Sequence, residues 1–273
     1  MSQKVAIQGI PGSFHHQVAL LEFGSQSQIL PFSTFEAVAK AVSSGEADVA
    51  VMAIENSIAG AILPNYELID RYDLAIWEEF YLPISHQLMA LPGQQLSDLI
   101  EVRSHPMALL QCKQFLSQFP HLQQQDDVDT ATVAKRIRDE KLKGTAAIAS
   151  KIAAEIYELE ILAEDIQTVE NNFTRFIILG KSAKNSKTAN KASLKINIKN
   201  ESGGLAKLLS MLAEKGLNLS KIQSIPVMER PWEYAFFIDA VFEDHQLFLE
   251  AMEQVKRDFG TLKIVGQYMS RKQ

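Results

Sequence analysis

An α/β body followed by a smaller unit of βαββαβ order is the fold class that this 273-residue sequence predicts, on three observations. Short apolar runs alternate with helical patterns from Val5 to Gly180, as parallel βαβ units require. The stretch from Lys181 to Lys191, made of Lys, Ser, Asn and Thr with almost nothing to bury, then reads as a solvated linker. Beyond it, residues 193–273 run through strand, helix, strand, strand, helix and strand, which is the ferredoxin-like order.

Taken along the chain, Val5-Ala6-Ile7 is a strand entering the turn Gly9-Ile10-Pro11-Gly12-Ser13-Phe14 and the helical pattern Val18, Leu20, Leu21. The glycines let the backbone approach a ligand, and the free N–H groups of the helix start suit an anion. A dinucleotide fingerprint is excluded, because the third glycine is missing and Pro11 interrupts the turn. Ser33-Thr34-Phe35-Glu36 reads as a capping box opening a helix that Ser44-Gly45 stops.

Asp48 to Ile54 is an apolar run of the length of a parallel strand covered on both faces. It ends in Glu55-Asn56-Ser57. Polar residues at the carboxyl end of such a strand are either a ligand site or a helix cap, and the residues alone leave both open.

A second block begins near Trp77 and runs through Glu78-Glu79-Phe80-Tyr81-Leu82-Pro83-Ile84. Glu101 to Ser104 is a strand ending in the polar turn Ser104-His105-Pro106, and a helix follows from Met107 to Leu116. Asp129-Thr130 caps a helix carrying Val133, Ala134 and Ile137; Thr145 to Ala149 is a buried strand, and Lys151 to Tyr157 a helix. The body closes on Asn171-Asn172-Phe173-Thr174-Arg175-Phe176 and Ile177-Ile178-Leu179, polar groups at the head of a buried strand. Side chains alternate along a strand, so Asn172 and Thr174 share one face and Phe173 and Arg175 the other. Phe173 and Phe176 read as core packing.

In the last unit the expected strands are Leu194–Ile198, Leu219–Pro226, Trp232–Phe242 and Leu262–Met269, with helices over Leu205–Ala213 and His245–Phe259. Ser202-Gly203-Gly204 permits close approach at its first strand–helix turn.

The totals bound the function. With 27 Lys and Arg against 33 Asp and Glu, the net charge of −6 offers no basic surface for nucleic acid. The longest apolar runs are too short for a membrane-spanning helix, and the N-terminus shows no signal-peptide pattern, so a cytoplasmic location is expected. The lone Cys112 forms no internal disulfide and reads as a buried thiol, and no Cys/His cluster has metal-ligand spacing. His15, His16 and His86 read as core or surface residues, and His105 as a turn cap.

Gly9 to Phe14, Ile54-Glu55-Asn56-Ser57, Ser104-His105-Pro106 and Thr174-Arg175-Phe176 together resemble, in order and over the full chain, the motifs of the prephenate dehydratases. Gly204-Leu205-Ala206-Lys207-Leu208-Leu209 is similar to the effector loop of an ACT regulatory domain. Three departures stand out: His15 where the family has a hydroxyl residue, Met107 where it commonly has Gln, and Gln223-Ser224-Ile225-Pro226 in place of ESRP. The segment Arg230 to Tyr234 still resembles the family's next stretch after that motif.

The resemblance implies a two-lobed catalytic domain like a periplasmic binding protein over residues 1–180, with lobe one at about 1–76 and 163–180 and lobe two at about 77–162. A linker at 181–192 and an ACT domain at 193–273 complete it. It further implies that prephenate loses its ring hydroxyl as water and its ring carboxylate as carbon dioxide, giving phenylpyruvate without metal or redox cofactor. Thr174 takes the role of leaving-group donor. A threonine hydroxyl is a poor acid, so it orients and hydrogen-bonds the leaving oxygen.

Ser13, Phe14, Asn56, Ser57, Ser104, Asn172, Arg175 and Phe176 become substrate-binding residues, with Arg175 either a carboxylate clamp or a structural ion pair. Glu55 reads as a structural anchor, since it would repel a dianion. Gly204, Leu205, Ala206, Asn218, Leu219, Gln223, Ser224, Ile225 and Pro226 become effector-binding residues. The expected partners are prephenate, L-phenylalanine as effector, and further copies of the chain in a homodimer or homotetramer. Arogenate as substrate, and a non-catalytic amino-acid sensor, are the alternatives.

Overall fold

The structure is a computed structural model that describes residues 2–184, 188–198, 201–226 and 234–271. Residues 185–187 of the expected linker, and Arg230 to Glu233 with the expected strand start at Trp232, lie outside the described residues.

In the first sheet the strands are β1 (Lys4–Gln8), β2 (Gln28–Phe32), β3 (Val49–Asn56), the two-residue β4 (Gly60–Ala61), β5 (Ala75–Pro83) and β11 (Phe173–Gly180). They stand in the order β2-β1-β3-β11-β5, with β4 antiparallel on β3. Helices α1 (Phe14–Phe23), α2 (Phe35–Ser44) and α3 (Leu63–Arg71) connect them. Helix α2 is capped by Thr34, whose hydroxyl accepts from Ala37 N at 3.1 Å, one residue later than the Ser33 capping box expected. The strand β2 was not expected: Gln28-Ile29-Leu30-Pro31-Phe32 lacks clean alternation, yet it pairs in parallel with β1 from Lys4 to Gln8.

A second sheet has the order β10-β6-β9-β7-β8, from β6 (Gln87–Ala90), β7 (Glu101–Ser104), β8 (Gln123–Asp126), β9 (Thr145–Ala149) and β10 (Glu160–Ala163). Helices α4 (Pro106–Gln111), α5 (Lys113–Leu116), α6 (Thr130–Glu140) and α7 (Lys151–Tyr157) lie between them in sequence. The expected single helix from Met107 to Leu116 is interrupted at Cys112. Asp129 caps α6 as the sequence suggests, accepting from Thr132 N at 2.7 Å. The sheet is mixed: β7 runs parallel to β8 and β9, but β6 is antiparallel to both β9 and β10. An apolar run reports that a strand is covered, and it carries no sign of its neighbour's direction.

Four strands, β12 (Lys191–Ile198), β13 (Asn218–Pro226), β14 (Tyr234–Val241) and β15 (Gly260–Tyr268), with α8 (Gly204–Glu214) and α9 (His245–Asp258), form the expected ferredoxin-like unit. Its sheet order is β13-β14-β12-β15, all described pairs antiparallel. The core between sheet and helices includes Leu194, Ile196, Leu208, Leu212, Ile238, Phe248 and Val255. Among the described residues no helix is long and apolar enough to cross a membrane.

Two compact units divide the chain. The first comprises Met1–Val38, Val51–Ala61 and Leu82–Phe176, and the second Ala39–Ala50, Ile62–Tyr81 and Ile177–Gln273. Within the second, residues of β5 carry the ferredoxin-like strands. Lys191, read from sequence as part of a solvated linker, is instead buried at 1% exposure, and its ammonium sits 2.7 Å from the equally buried Glu79 carboxylate. Glu79 also accepts from Arg271 N at 3.1 Å and from the hydroxyls of Ser270 and Tyr81, both at 3.3 Å. Lys195 pairs with Asp70 and Lys263 with Asp73 beside it. Gly266 is required here, because a Cβ at that position would collide with the carbonyl of Ile76.

Removing one member of a buried, hydrogen-bonded ion pair strands the other charge, so Lys191→Met should lower unfolding free energy by about 3–5 kcal/mol. The Glu79→Gln, Lys191→Met double variant should recover part of that loss. Urea unfolding measures both, and a single-variant loss below about 1 kcal/mol, the scale of an exposed pair, would contradict the burial seen here.

Candidate active site

Strand β3 is buried from Val49 to Ile54 and emerges only at Glu55 and Asn56, so its polar residues are delivered to the carboxyl end of a rigid element. Asn56 caps neither a helix nor a strand partner. Its side-chain oxygen accepts from Ile58 N at 3.0 Å and Ala59 N at 2.9 Å, closing an Asx turn that leads into β4. Backbone N–H groups can only donate, so the atom facing them must be the oxygen. The amide nitrogen of Asn56 therefore points the other way.

There it meets the head of β11. Asn56 Nδ2 donates to Asn172 Oδ1 at 2.7 Å and Thr174 Oγ1 at 3.0 Å, with Phe173 O at 3.2 Å. Ser57 holds the same segment: its N–H donates to Phe173 O at 2.8 Å, and its Oγ accepts from Phe173 N at 2.9 Å. On the far side Ile84 N donates to Asn172 O at 2.7 Å. Asn172 and Thr174 thus present their side chains to one group, as strand alternation requires. Because Thr174 Oγ already accepts from Asn56, its own proton is the one left to give, and no described residue takes it.

The structure brings Asn56, Ser57, Asn172 and Thr174 together. Ser13, Phe14, Ser104, Arg175 and Phe176 are held differently. Ser13 caps α1, its hydroxyl accepting from His16 N at 3.2 Å. Gly12 N donates to His16 Nδ1 at 3.1 Å, and Ser13 N to Ile10 O. Three N–H groups of the expected anion turn are therefore already engaged. The close approach at Gly12, whose φ is +92°, is to Ala153 and Tyr157 of α7. Ser150 Oγ seals it by donating to Gly12 O at 2.6 Å.

Phe14 sets its ring edge against His86 at 5.7 Å. Ser104 is fully buried, and its hydroxyl donates to Ile148 O at 2.6 Å, tying β7 to β9. Arg175 is buried, as is Phe176, whose ring meets that of His15 edge-on at 5.0 Å. Phe173, expected in the core, is 41% exposed: it sits on the outward face at the strand's head, where the core has not begun.

His15 presents a ring nitrogen where the resemblance leads one to expect a hydroxyl. Its Nε2 accepts from Ala53 N at 3.3 Å, and burial pushes its pKa down to about 4, so it is neutral at physiological pH. His105 caps α4, its Nδ1 accepting from Met107 N. Burial pushes the Cys112 thiol up to about 12, which leaves it inert. One site residue escaped the sequence reading: Gln111, at the end of α4, whose Oε1 accepts from Asn172 Nδ2 at 3.1 Å. Only its place before the buried Cys112 in a helical pattern marked it. Among the described residues no cluster of His, Cys, Asp or Glu could hold a metal ion.

In the ferredoxin-like unit Gly203, at φ +77°, turns the chain into α8, where Gly204 is buried, Leu205 half-buried and Ala206 exposed. Asn218, Leu219, Gln223, Ser224, Ile225 and Pro226 lie along β13, an edge strand of alternating burial. Gln223 folds its amide back onto Ser224 O at 3.1 Å.

The family profile described as prephenate dehydratase matches residues 5–184. Arogenate dehydratase/prephenate dehydratase 1, chloroplastic, of Arabidopsis thaliana is 38% identical over 86% of this chain, which spans 64% of that relative's length. A solved structure described as GqqA, a novel type of quorum quenching acylase, covers 98% of this chain and 99% of its own, at TM-score 0.89 and 28% identity. The prephenate dehydratase of Arthrobacter aurescens in complex with L-Phe covers 98% and 90%, at TM-score 0.88 and 26% identity.

The buried His15 makes the site's support sensitive to acid. A base whose folded pKa is depressed stabilises the fold above its unfolded value of 6.5, and that contribution is lost as pH falls from 6.5 towards about 4. Over that window His15 alone should cost about 3 kcal/mol of stability. Burial also lowers the pKa values of His16 and His86, in the same direction. Unfolding measured from pH 7 to pH 4 should show a shallower slope in His15→Gln than in the parent chain, and equal slopes would contradict the assignment.

Proposed function

We propose, for a chain that belongs to the prephenate dehydratase family, that it converts prephenate to phenylpyruvate, as a carbon–oxygen lyase. In this reaction the bond from the ring to its carboxylate breaks and carbon dioxide departs. The freed electron pair enters the ring, the ring–oxygen bond breaks, and hydroxide leaves hydrogen-bonded by Thr174 and takes a proton from solvent to become water. Aromatisation supplies the driving force. The protein's task is to hold the anion and stabilise charge building on the leaving oxygen.

The observation that carries this reading is the hydrogen bond from Asn56 Nδ2 to Thr174 Oγ1. It occupies Thr174 as an acceptor and turns the hydroxyl proton outward as a preoriented donor to the departing oxygen. The donation from Asn56 also polarises the O–H bond and strengthens it as a donor. An acylase reading, suggested by the GqqA likeness, asks for the opposite polarity. A nucleophilic hydroxyl needs a neighbouring base to accept its proton, and Asn56 Nδ2 presents a donor.

Arogenate differs from prephenate by an amino group in place of the side-chain keto group, away from the leaving oxygen, so the Thr174 geometry serves both. The ferredoxin-like unit, whose first strand begins at Lys191, is read as an ACT regulatory domain that follows a catalytic part at 1–180. L-phenylalanine, bound in the Arthrobacter structure, is its proposed effector, at Gly204, Leu205, Ala206 and the β13 residues. Pairing of chains through β13 is supported by its edge position and by Ile222, which is 45% exposed there. The proposed compartment is the cytoplasm, in keeping with a single buried thiol.

Purified protein given prephenate should form phenylpyruvate, and Thr174→Val should lower kcat by on the order of a hundredfold while Thr174→Ser retains much of it. Arogenate offered in parallel assigns the substrate, and L-phenylalanine added to the same assay should reduce the rate. Absence of product above background from both substrates would refute the reading.

A further inference from the structure

The orientation of Asn56 does not stop at Asn172. Because Asn56 presents Nδ2, Asn172 must present its oxygen, and its own Nδ2 must then face away. It donates to Gln111 Oε1 at 3.1 Å. That same oxygen lies 2.9 Å from His86 Nε2, so His86 must carry its proton on Nε2 and donate. A chain of fixed polarity thus runs from two backbone amides, Ile58 N and Ala59 N, through three carboxamides to one imidazole.

The last two links of this chain are anchored. Gln111 is held by its own carbonyl, which accepts from Thr168 N at 2.8 Å. His86 is 2% exposed, with its N–H donating to Gln167 Oε1 at 2.8 Å and its carbonyl accepting from Ile166 N at 3.0 Å. The Nδ1 of His86, left as a bare lone pair by this tautomer, is buried with no partner among the described residues. A buried acceptor without a donor is costly. Turning the ring over would gain nothing at Gln111 unless the proton stayed on the nitrogen facing it.

We propose that Gln111, oriented by His86, is a positioning residue for the reaction, acting through Asn172 and Asn56 on the Thr174 hydroxyl. This rests on the reading of Thr174 as leaving-group donor. Gln111 Oε1 receives two donors, which fills both its lone pairs and fixes the Asn172 carboxamide in one of its two orientations. With Asn172 fixed, one proton of Asn56 Nδ2 goes to Asn172 and the other falls to Thr174 at 3.0 Å, ahead of the longer contact to Phe173 O at 3.2 Å. Without the acceptor at residue 111, nothing holds Asn172 Nδ2 and the Asn172 carboxamide is free to swing away from Asn56. Asn56 Nδ2, still set by the turn, then shares its two protons between Phe173 O and Thr174, and the hydroxyl is no longer held in one orientation.

The test compares Gln111→Met, which keeps the length and removes the acceptor, with Gln111→Glu, which keeps an acceptor oxygen for both donors. With prephenate, Gln111→Met should lower kcat by about tenfold and leave KM within about twofold, and Gln111→Glu should restore most of the rate. Gln111→Ser repeats the loss if the Met variant does not fold. Side-chain amide resonances of Asn56, two links away, should move in Gln111→Met and hold their place in Gln111→Glu. A kcat unchanged in Gln111→Met, or Asn56 resonances that do not move, would overturn the proposal. Should the parent chain turn over neither prephenate nor arogenate, the functional reading falls. The amide resonances then still decide whether Gln111 orients the chain.

Discussion

Two backbone N–H groups, those of Ile58 and Ala59, can donate and cannot accept, and the polarity of the candidate site follows from that restriction. A free asparagine amide is nearly symmetric in shape, so its two orientations differ only by what they face. At Asn56 the turn settles the choice. Asn172, Gln111 and His86 then fall into line, and Thr174 is left holding a proton it can only give outward. The residue proposed as donor to the leaving oxygen is thus controlled by peptide groups on the far side of Asn56.

The surroundings serve to keep this turn and the head of β11 in place. β3 is buried for six residues before it reaches Asn56, so the turn starts from a fixed point. The backbone N–H groups of Ser57 and Ile84 clasp Phe173 and Asn172 through main-chain bonds, which no change of side-chain rotamer can loosen. Beneath them His15, neutral because it is buried, accepts from Ala53 N, and its ring rests against Phe176. In the second unit the Glu79–Lys191 pair plays a comparable part, fixing the first residue of β12 to β5.

Much of this was legible in the residues. β1, β3, β9, α6 and α7 follow from apolar runs and caps, and the order of the ferredoxin-like unit follows from alternating patterns of ordinary length. The missed strands have physical reasons. Gln123-Gln124-Gln125-Asp126 is an exposed edge strand with no buried face to imprint a pattern, and β6 and β10 are four residues each. Lys191 was read by its charge as solvated, since a buried lysine is recognisable only once its partner, 112 residues away, is known. At the site, Asn172 and Thr174 could be paired by strand parity, but Asn56 and Gln111 are joined to them only by the fold. Ser13 and Ser104 carry the right chemistry in sequence, yet their hydroxyls are committed to a helix cap and to a backbone carbonyl.

Reversing the polarity at Asn56 reaches the centre of this account. In Asn56→Asp one carboxylate oxygen still accepts from Ile58 N and Ala59 N, while the other becomes an acceptor aimed at Thr174, whose proton it should draw inward. Steady-state turnover of prephenate by this variant, with thermal unfolding as a check that the fold persists, is the direct measurement. A fall in kcat on the order of a hundredfold is expected in a folded protein, as for loss of a preorganised donor. A folded Asn56→Asp protein with kcat within a few-fold of the parent would contradict it.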